Sequence, residues 1–232
     1  MKFEKSTTGT IQKRYKRFLS DITLDDGEQI NAHVPNTGSM TQCWGEDWKV
    51  LVTKSDNPKR KLAYTLELTN NGHTWISVNT SRTNKLVHEA LEGSKIKELL
   101  GYKSIRAEKK IFDSRLDFFL SEHDNKADAY LEVKNATLTD NEGTCLFPDS
   151  VSTRGQKHLI DLMKIKETGT RAIMLYVVNR EDVDSFSPAS QIDPEYARLL
   201  KEAAKKGVEV LAYQSKINDK EIYIDKKIKV NI

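Results

Sequence analysis

Two acidic side chains and one lysine in the middle of the chain have the types and the spacing that metal-assisted hydrolysis requires. Asp117 lies in the stretch 114–120, and Glu132 and Lys134 lie two residues apart in the stretch 129–134. Both stretches are typical of β-strands, in which residues two apart share a face. The pattern therefore directs two carboxylates and an ammonium group towards one point, which suits a divalent metal ion and a bound water.

Asp117 and Glu132 would supply the oxygen ligands that a hard cation such as Mg²⁺ or Mn²⁺ prefers. Such an ion neutralises charge on a phosphodiester and lowers the pKa of a bound water, and Lys134 would orient that water or stabilise the pentavalent transition state. On spacing alone, Glu132 and Lys134 are equally compatible with an exposed ion pair on one strand face. Their apolar neighbours favour the metal site, because a charge within an apolar strand is costly unless it is paired or metal-bound.

The composition indicates a globular protein without a membrane span. Of the 232 residues, 38% are hydrophobic and 31% are charged, and no apolar run approaches the roughly 18 residues that a span requires. Residues 1–5 lead into polar sequence rather than into an apolar signal segment. Cys43 and Cys145 match no zinc-binding spacing, so we expect free thiols in a reducing compartment. A cytoplasmic location is the resulting expectation.

Basic residues are clustered rather than abundant, since the formal net charge is only +3. The two clusters consist of Lys13, Arg14, Lys16 and Arg17, and of Lys59, Arg60 and Lys61. Clustered Lys and Arg neutralise nucleic-acid phosphates and release counterions. Solubilising surface charge accounts for either cluster about equally well.

The first third of the chain is predicted to form a small β-barrel. Short apolar runs separated by turns lie at 18–24, 30–34, 49–53, 62–68 and 75–78. Five strands suit a barrel of the oligonucleotide-binding (OB) type. The loop 35–40 is small and polar, so that its Asn36 and Thr37 could approach a phosphate or a sugar closely. Trp44 and Trp48 are expected to pack in the core rather than to stack on bases.

Helical periodicity begins at residue 84, and we therefore predict two domains, 1–82 and 83–232. A helix over 84–92, with an extension to 100, is followed by strands over 104–112, 115–120 and 129–134 and by one further strand. A helix over 155–168, a buried strand over 171–178, a helix over 194–206 and a strand over 208–213 complete the domain. The tail after 217 is typical of edge strands. This order predicts an α/β domain with a mixed sheet.

Motifs distributed along nearly the whole chain are jointly specific. They are RFL (17–19), AHVPNTGSM (32–40), NPKRKL (57–62), YTLE (64–67), VNT (78–80), SRLDF (114–118), EVKN (132–135), FPD (147–149) and TRGQKHL (153–159). Together they resemble the sugar fermentation stimulation protein A family. The resemblance implies an OB-like barrel joined to an α/β domain like that of PD-(D/E)XK nucleases, with DNA binding and a role in regulating sugar use. Asp117, Glu132 and Lys134 match the two acids and the lysine of that nuclease pattern, although Leu116 replaces its proline.

Further candidates for nucleic-acid contacts lie close to these residues. Arg154, Lys157 and His158 lie at the start of the helix over 155–168, where free backbone amides favour anions, and Arg115 lies beside Asp117. For His158 a structural hydrogen bond is the more ordinary role. Further acidic groups that could complete the metal site are Glu89, Glu98 and Glu108.

Two functions remain open at the level of sequence. One is a Mg²⁺- or Mn²⁺-dependent nuclease, in which the barrel holds a nucleic-acid strand and Asp117, Glu132 and Lys134 cleave it. DNA is the expected partner, and RNA is the alternative. The other is a DNA-binding regulator of sugar-metabolism genes on a nuclease-like scaffold, whose acids hold a metal without turnover. The complete set of three residues favours the nuclease, whereas the usual description of the family favours the regulator.

Overall fold

The computed structural model describes residues 1–140 and 142–232. Its N-terminal sheet consists of β1 (Ser6–Tyr15), β2 (Leu19–Leu24), β3 (Gln29–His33), β4 (Lys49–Lys54), β5 (Tyr64–Asn70) and β6 (Trp75–Ser77). The strand order is β3-β2-β1-β4-β5-β6, and an additional pairing of β3 with β5 joins β1 to β5 into a closed barrel. The predicted five-stranded barrel is therefore confirmed, but its membership differs from the five predicted runs.

The difference concerns β1, which corresponds to none of the predicted runs. Its sequence, STTGTIQKRY, has only one large aliphatic residue, Ile11, so it lacks the alternation that indicates a half-buried strand. Gly9 permits the close pairing with β2, because a Cβ at this position would lie 2.5 Å from the carbonyl oxygen of Thr23. The predicted run at 75–78 forms β6, which pairs with β5 outside the closed barrel.

The barrel interior is filled by apolar side chains from all five of its strands, including Ile11, Ile22, Ala32, Val50 and Leu66. Trp44 and Trp48 are partly buried and pack against this cluster. Their packing agrees with the expectation that they contribute to the core.

The second part of the chain is an α/β arrangement with a mixed sheet. In chain order its elements are α1 (Thr83–Glu92), β7 (Ser104–Ile111), β8 (Ser114–Ser121), β9 (Ala129–Ala136), β10 (Leu138–Thr139), β11 (Thr144–Phe147), α2 (Thr153–Glu167), β12 (Arg171–Val178), β13 (Ser185–Pro188), α3 (Pro194–Lys205), β14 (Glu209–Ile217), β15 (Ile222–Lys227) and β16 (Lys229–Val230). The larger sheet has the order β15-β14-β12-β9-β8-β7, and the smaller sheet has the order β10-β11-β13-β16. In the larger sheet β9, β12 and β14 are parallel, and the outer pairings are antiparallel.

Helices cover both faces of the larger sheet. On one face α1 packs with apolar residues of β9 and β12, such as Leu131 and Leu175. On the other face α2 and α3 pack against residues that include Met174 and Tyr176. Strand β12 is buried on both faces, as its continuous apolar sequence predicts. None of the described helices is long and apolar enough to cross a membrane.

The helix ends follow from local sequence. The side chain of Ser152 accepts a hydrogen bond from the Gly155 N–H at the start of α2, and Asp193 does the same for α3, ahead of Pro194. Helix α1 ends at Glu92 and does not continue to residue 100 as predicted, because Ser94, which follows Gly93, has a φ of +57°. Only a 3₁₀ turn, Lys97–Leu99, follows.

On strand β8, the residues on the two sides of Asp117 pack in different layers of the domain. Residues two apart on a regular strand share a face, but Leu116 packs in the cluster beneath α2 and α3, whereas Phe118 packs in the cluster beneath α1. The pairing of β7 with β8 skips this position, where Glu108 has a φ of +53°. The hairpin therefore twists at Asp117, and its carboxylate lies at the border between the two layers.

A buried carboxylate joins the barrel to the segment before α1. Glu67 on β5 is 1% exposed and accepts two hydrogen bonds from the Arg82 guanidinium at 2.5 Å. Asn79 and Thr53 donate to the same carboxylate at 2.8 and 2.6 Å. Such complete pairing is what a buried charge requires. The predicted division between residues 82 and 83 lies next to this cluster and stays a prediction.

Replacing Arg82 with Ala should lower the free energy of unfolding by about 3 kcal/mol, because Glu67 would stay buried without its charged partner. Arg198→Ala is the matched control, since Arg198 is 58% exposed and pairs with Glu195 and Glu202 on the surface of α3. It should change the free energy of unfolding by less than about 1 kcal/mol. Urea unfolding followed by circular dichroism measures both, and equal losses would show that the buried pair contributes no more than a surface pair.

Candidate metal centre

Asp117 lies where the regular pairing of β8 with β9 stops. The last paired residues are Phe118 and Leu131. Beyond them, Oδ2 of Asp117 accepts a hydrogen bond from the backbone N–H of Val133 at 2.8 Å, and Oδ1 accepts one from Nδ2 of Asn84 in α1 at 2.7 Å. The side chain thus takes the place of a backbone acceptor at the point where the strands separate, and α1 fixes its orientation.

Glu132 is almost fully buried, with 3% of its surface exposed. Its Oε1 contacts Nζ of Lys134 at 2.5 Å and Nδ1 of His158. Its Oε2 is buried and has no hydrogen-bond partner among the described residues. A buried carboxylate oxygen without a partner is costly, and a cation bound at Oε2 would remove that cost.

The environments of the two acids shift their pKa values in opposite directions. Burial raises the pKa of Asp117, and the negative charge of Glu132 raises it further. Burial also opposes ionisation of Glu132, but the hydrogen bond with His158 and the charge of Lys134 outweigh it, so the pKa of Glu132 lies below its ordinary value. Glu132 is thus held as the anion, and Asp117 resists becoming a second anion beside it. A divalent cation would stabilise both negative charges.

His158 lies on the buried side of α2 and is 4% exposed. Besides Glu132, its Nδ1 lies 3.2 Å from Nζ of Lys134. The structure therefore places His158 behind the carboxylate and the lysine, rather than on the outer face of α2. Its role in binding nucleic acid stays a prediction, but the contacts are those of a residue that orients Glu132. Its helical spacing from the buried Leu162 and Ile165 is the sequence signal that could have indicated an inward direction.

Two of the predicted nucleic-acid contacts shape the loop 35–40. The guanidinium of Arg14 donates to the backbone carbonyls of Arg17, Asn36, Gly38 and Ser39 at 3.0–3.2 Å. Burial and the neighbouring charge of Arg17 lower the pKa of Arg14. Asn36 is 7% exposed, donates to the carbonyl of Val78 and accepts from the N–H of Gly38. Both side chains are thus used inside the protein.

The remaining predicted contacts have exposed side chains. They are Lys16, Arg17, Thr37, Lys59, Arg60, Lys61, Arg115, Arg154 and Lys157. Arg115 pairs with Glu108 at 3.0 Å, and Lys157 donates to Ser114 at 2.6 Å. Arg60 lines a groove of about 880 Å³ between the barrel and α1, together with Lys54 and Lys85. The groove is also lined by four carboxylates, those of Glu4, Asp56, Glu67 and Glu89. Its α1 wall belongs to the helix whose Asn84 donates to Asp117.

The three further acids that were candidates for the metal site have other partners. Glu89 pairs with the N-terminal amine at 2.9 Å, Glu98 pairs with Lys227 at 2.7 Å, and Glu108 pairs with Arg115. Within residues 1–140 and 142–232, no group of three or more His, Cys, Asp and Glu side chains is arranged to hold a metal ion. The assignment of Asp117 and Glu132 as metal ligands stays a prediction.

Comparison with known proteins decides the family. Residues 81–221 match the family model described as the sugar fermentation stimulation protein RE domain, and residues 13–78 match the one described as the SfsA N-terminal OB domain. The chain belongs to the sugar fermentation stimulation protein family. The resemblance predicted from its motifs is thereby confirmed.

Relatives match along nearly the full length of the chain. The sugar fermentation stimulation protein homolog of Syntrophotalea carbinolica is 47% identical over 222 residues, which cover 96% of this chain and 95% of the relative. The homolog of Shewanella pealeana is 50% identical over 212 residues, with coverage of 90% and 89%. The structure of Pyrococcus furiosus SfsA in complex with Ca²⁺ has a TM-score of 0.88 at 25% identity, with coverage of 100% and 98%. The predicted fold class, an OB-like barrel followed by the family's α/β domain, is confirmed.

The raised pKa of Asp117 predicts that Asp117→Asn stabilises the metal-free protein near neutral pH. An acid whose pKa is raised by folding ionises more readily in the unfolded chain, so stability falls as the pH rises through the folded pKa. Removing the charge should therefore raise the melting temperature by roughly 2 °C at neutral pH, the scale set by a fraction of a kcal/mol in a chain of this size. The gain should shrink as the pH falls towards about 4, the ordinary pKa of an aspartate in the unfolded chain.

Thermal unfolding in chelator, from about pH 4 to 8, measures this effect. Asp113→Asn is the matched control, because Asp113 is an exposed acid in the turn of the same hairpin. A lower melting temperature for Asp117→Asn at neutral pH would show that the hydrogen bonds from Asn84 and Val133 outweigh the repulsion from Glu132.

Proposed function

We propose that this protein is a divalent-metal-dependent nuclease whose centre consists of Asp117, Glu132 and Lys134. The observation that carries the proposal is the buried Oε2 of Glu132, which has no hydrogen-bond partner among the described residues, while Oε1 is occupied by Lys134 and His158. The second carboxylate, Asp117, is close enough for the charge of Glu132 to raise its pKa. Two neighbouring carboxylates, of which Glu132 is buried and Asp117 is partly buried, repel each other unless a cation lies between them.

Asp117 and Glu132 would hold Mg²⁺ or Mn²⁺ through oxygen atoms. A site with two protein carboxylates suits Mg²⁺, which retains several waters and takes phosphate oxygens from the substrate. The bound ion would neutralise charge on a phosphodiester and lower the pKa of a water. The Pyrococcus furiosus relative was solved in complex with Ca²⁺, which is also a hard cation that prefers oxygen ligands. That complex supports a hard cation as the partner of this family.

The chain's own residues orient the reacting groups. Lys134 is 14% exposed, and its ammonium group is held against Oε1 of Glu132. From there it can donate to an oxygen of the substrate as negative charge develops. His158 supports Glu132 from behind, and Asn84 and the Val133 N–H fix Asp117. Because each charged group has a partner that restricts its rotation, little reorganisation is needed when the substrate binds.

Nucleic acid is the proposed substrate, with DNA as the expected partner and RNA as the alternative. The barrel is of the OB type, a fold that commonly binds oligonucleotides. The groove between the barrel and α1 is lined by six cationic side chains and four carboxylates. Among the described residues, Lys5 and Arg82 pair with two of these carboxylates, whereas Lys54, Arg60 and Lys85 have no ion pair and can contact phosphates. A strand that follows this groove would have its phosphates neutralised on the way to α1.

A DNA-binding regulator without turnover is the second candidate. It is favoured by the small number of protein ligands among the described residues, since two carboxylates hold a hard cation weakly unless phosphate oxygens complete the shell. In that case the metal would bridge the protein and the DNA backbone. Binding would then depend on metal, and no strand would be cut.

Glu132→Gln and Lys134→Ala should each reduce metal-dependent cleavage of labelled DNA by about 100-fold or more, the range seen when a transition-state-stabilising group is removed. The wild type should cleave in Mg²⁺ or Mn²⁺ and not in chelator. Glu209→Gln is the matched control, because Glu209 is also a strand glutamate that binds a basic side chain, that of Arg171, at 2.7–2.8 Å. It should cleave as the wild type does. Single- and double-stranded DNA and RNA are compared in the same assay.

Undiminished cleavage by both site variants would point to a contaminating nuclease and remove the three residues from the mechanism. Metal-dependent binding by the wild type without any cleavage would support the regulator instead.

Replacing Lys59, Arg60 and Lys61 together with Ala should weaken binding to a similar degree for all sequences. The slope of log affinity against log salt should become shallower by about 1 for each phosphate that is no longer neutralised. A triple Ala variant of the exposed Lys201, Lys205 and Lys206 at the end of α3 changes the charge by the same amount and should retain the wild-type slope. Fluorescence anisotropy in chelator, over a range of salt concentrations, measures the slopes. If the first variant kept the wild-type slope, the cluster would not be part of the interface.

A further inference from the structure

A cleft of about 230 Å³ lies between the barrel and the α/β domain. One wall is the loop 35–40, and the opposite wall is formed by the end of β9 and by the segment between β11 and α2. The lining side chains used below are those of Asn36, Thr37, Asn135, Thr137, Phe147 and Asp149. The cleft is thus assembled from both parts of the chain, and interfaces of this kind are common locations for ligand sites.

The cleft begins next to the metal centre. Asn135 directly follows Lys134 on β9, although successive side chains of a strand point to opposite faces. The cleft adjoins the face of Lys134 through Phe147, whose ring packs on that of Tyr176, the residue paired with Lys134 between β12 and β9. A nucleic-acid strand carries one phosphate per about 3.4 Å of axis. A nucleotide adjacent to a phosphate at Glu132 and Lys134 would therefore lie within reach of the cleft.

The lining of the cleft fits a neutral, hydrogen-bonding group and not a phosphate. Among the described residues, no lysine or arginine lines it, and its charged group is the carboxylate of Asp149. Oδ2 of Asp149 accepts hydrogen bonds from the backbone N–H and the hydroxyl of Ser39 at 3.1 and 3.3 Å, whereas Oδ1 accepts none within the described chain. A free anionic acceptor would repel phosphate and attract an amino group.

Neutral groups complete the lining. Oδ1 of Asn135 already accepts hydrogen bonds from Thr83 and Asn179. Its Nδ2 and the hydroxyls of Thr37 and Thr137 can hydrogen-bond to a base or a sugar. Phe147 is partly buried, and its ring centroid lies 5.6 Å from that of Tyr176 and 5.3 Å from that of Tyr196. This aromatic group gives the cleft one apolar wall, as the sites of single nucleobases require.

The cleft is held open by fixed backbone. At Gly38 a Cβ would overlap with Oδ2 of Asp149, so a larger residue here would push this carboxylate aside. Arg14 binds the loop carbonyls from below, and Asn36 ties the loop to Val78. Because these contacts are made between residues of the protein itself, binding in the cleft has a small cost in conformational entropy.

We propose that this cleft binds one unpaired nucleobase with an exocyclic amino group, in the nucleotide adjacent to the phosphate at the metal centre. Adenine, cytosine and guanine carry such a group, and thymine does not. The inference rests on the proposed nuclease function and deepens it. It makes a locally single-stranded nucleic acid the substrate class, because a base inside a duplex cannot enter a cleft unless it is unstacked and unpaired.

Base preference in single-stranded oligonucleotides tests the proposal. Thymine oligonucleotides of about 12 residues with a single central adenine, cytosine or guanine should bind the wild type roughly 5-fold or more tightly than the all-thymine strand, the effect of one good polar contact. Asp149→Asn should reduce this ratio to near 1, with binding of the all-thymine strand retained. Ser150→Trp, which places a large side chain at the exposed edge of the cleft, should do the same. Ser39→Ala is the matched control, because it removes a contact of Oδ2 and leaves Oδ1 unchanged.

Anisotropy gives total affinity, and gel analysis in Mg²⁺ gives the cleavage position in the same samples, so the two proposals are tested separately. Equal affinity of the wild type for all strands, or a preference that survives both cleft substitutions, would overturn the cleft proposal and leave the nuclease proposal standing. A wild type that neither binds nor cleaves any strand would reject both. Melting temperatures close to that of the wild type confirm that the variants are folded.

Discussion

The burial of Glu132 is the constraint on which the arrangement of the α/β domain depends. A carboxylate in the protein interior requires donors, and here they come from two different elements. Lys134 reaches it from the same strand, and His158 reaches it from α2. Helix α2 must therefore dock in the one rotation that turns His158 towards β9. That rotation also determines where Arg154 and Lys157, in the first turns of the helix, meet solvent.

The same constraint acts on the neighbouring strand. A second carboxylate beside Glu132 is unfavourable in the absence of a cation, and the raised pKa of Asp117 expresses that repulsion. The fold retains Asp117 through the N–H of Val133 and the amide of Asn84 rather than through a cationic partner. Hydrogen bonds fix the position of the carboxylate without neutralising its charge. The regular pairing of β8 with β9 ends at this point. Departures of this kind from regular local structure are expected at functional sites.

The parts of this structure that depend on local sequence can be predicted, and those that depend on docking cannot. The strands of Asp117 and Glu132 are predictable because their apolar flanks and the period of two are local signals. The start of α3 follows in the same way from Asp193 and its proline. Strand β1 escapes prediction because its threonines and charges leave little more than Ile11 to indicate burial. The contact of His158 with Glu132 depends on the docking of a helix that begins some twenty residues further along. Its helical spacing from Leu162 and Ile165 indicates an inward direction, but it does not indicate which residue of β9 His158 meets.

The basic cluster at residues 13–17 is a case in which local composition does not reveal what a side chain contacts. Its composition is typical of a phosphate-binding surface, yet Arg14 donates to carbonyls of a loop about twenty residues away in sequence. The loop in turn meets Asp149 through Ser39, and Glu67 of the barrel is tied to Arg82 in the segment that leads into α1. Two contacts at separate points restrict rotation of the barrel in a way that one hinge would not. Under the proposed function, a strand bound along the barrel would be presented to Glu132 at a fixed distance, and the protein would select a nucleotide by position as well as by chemistry.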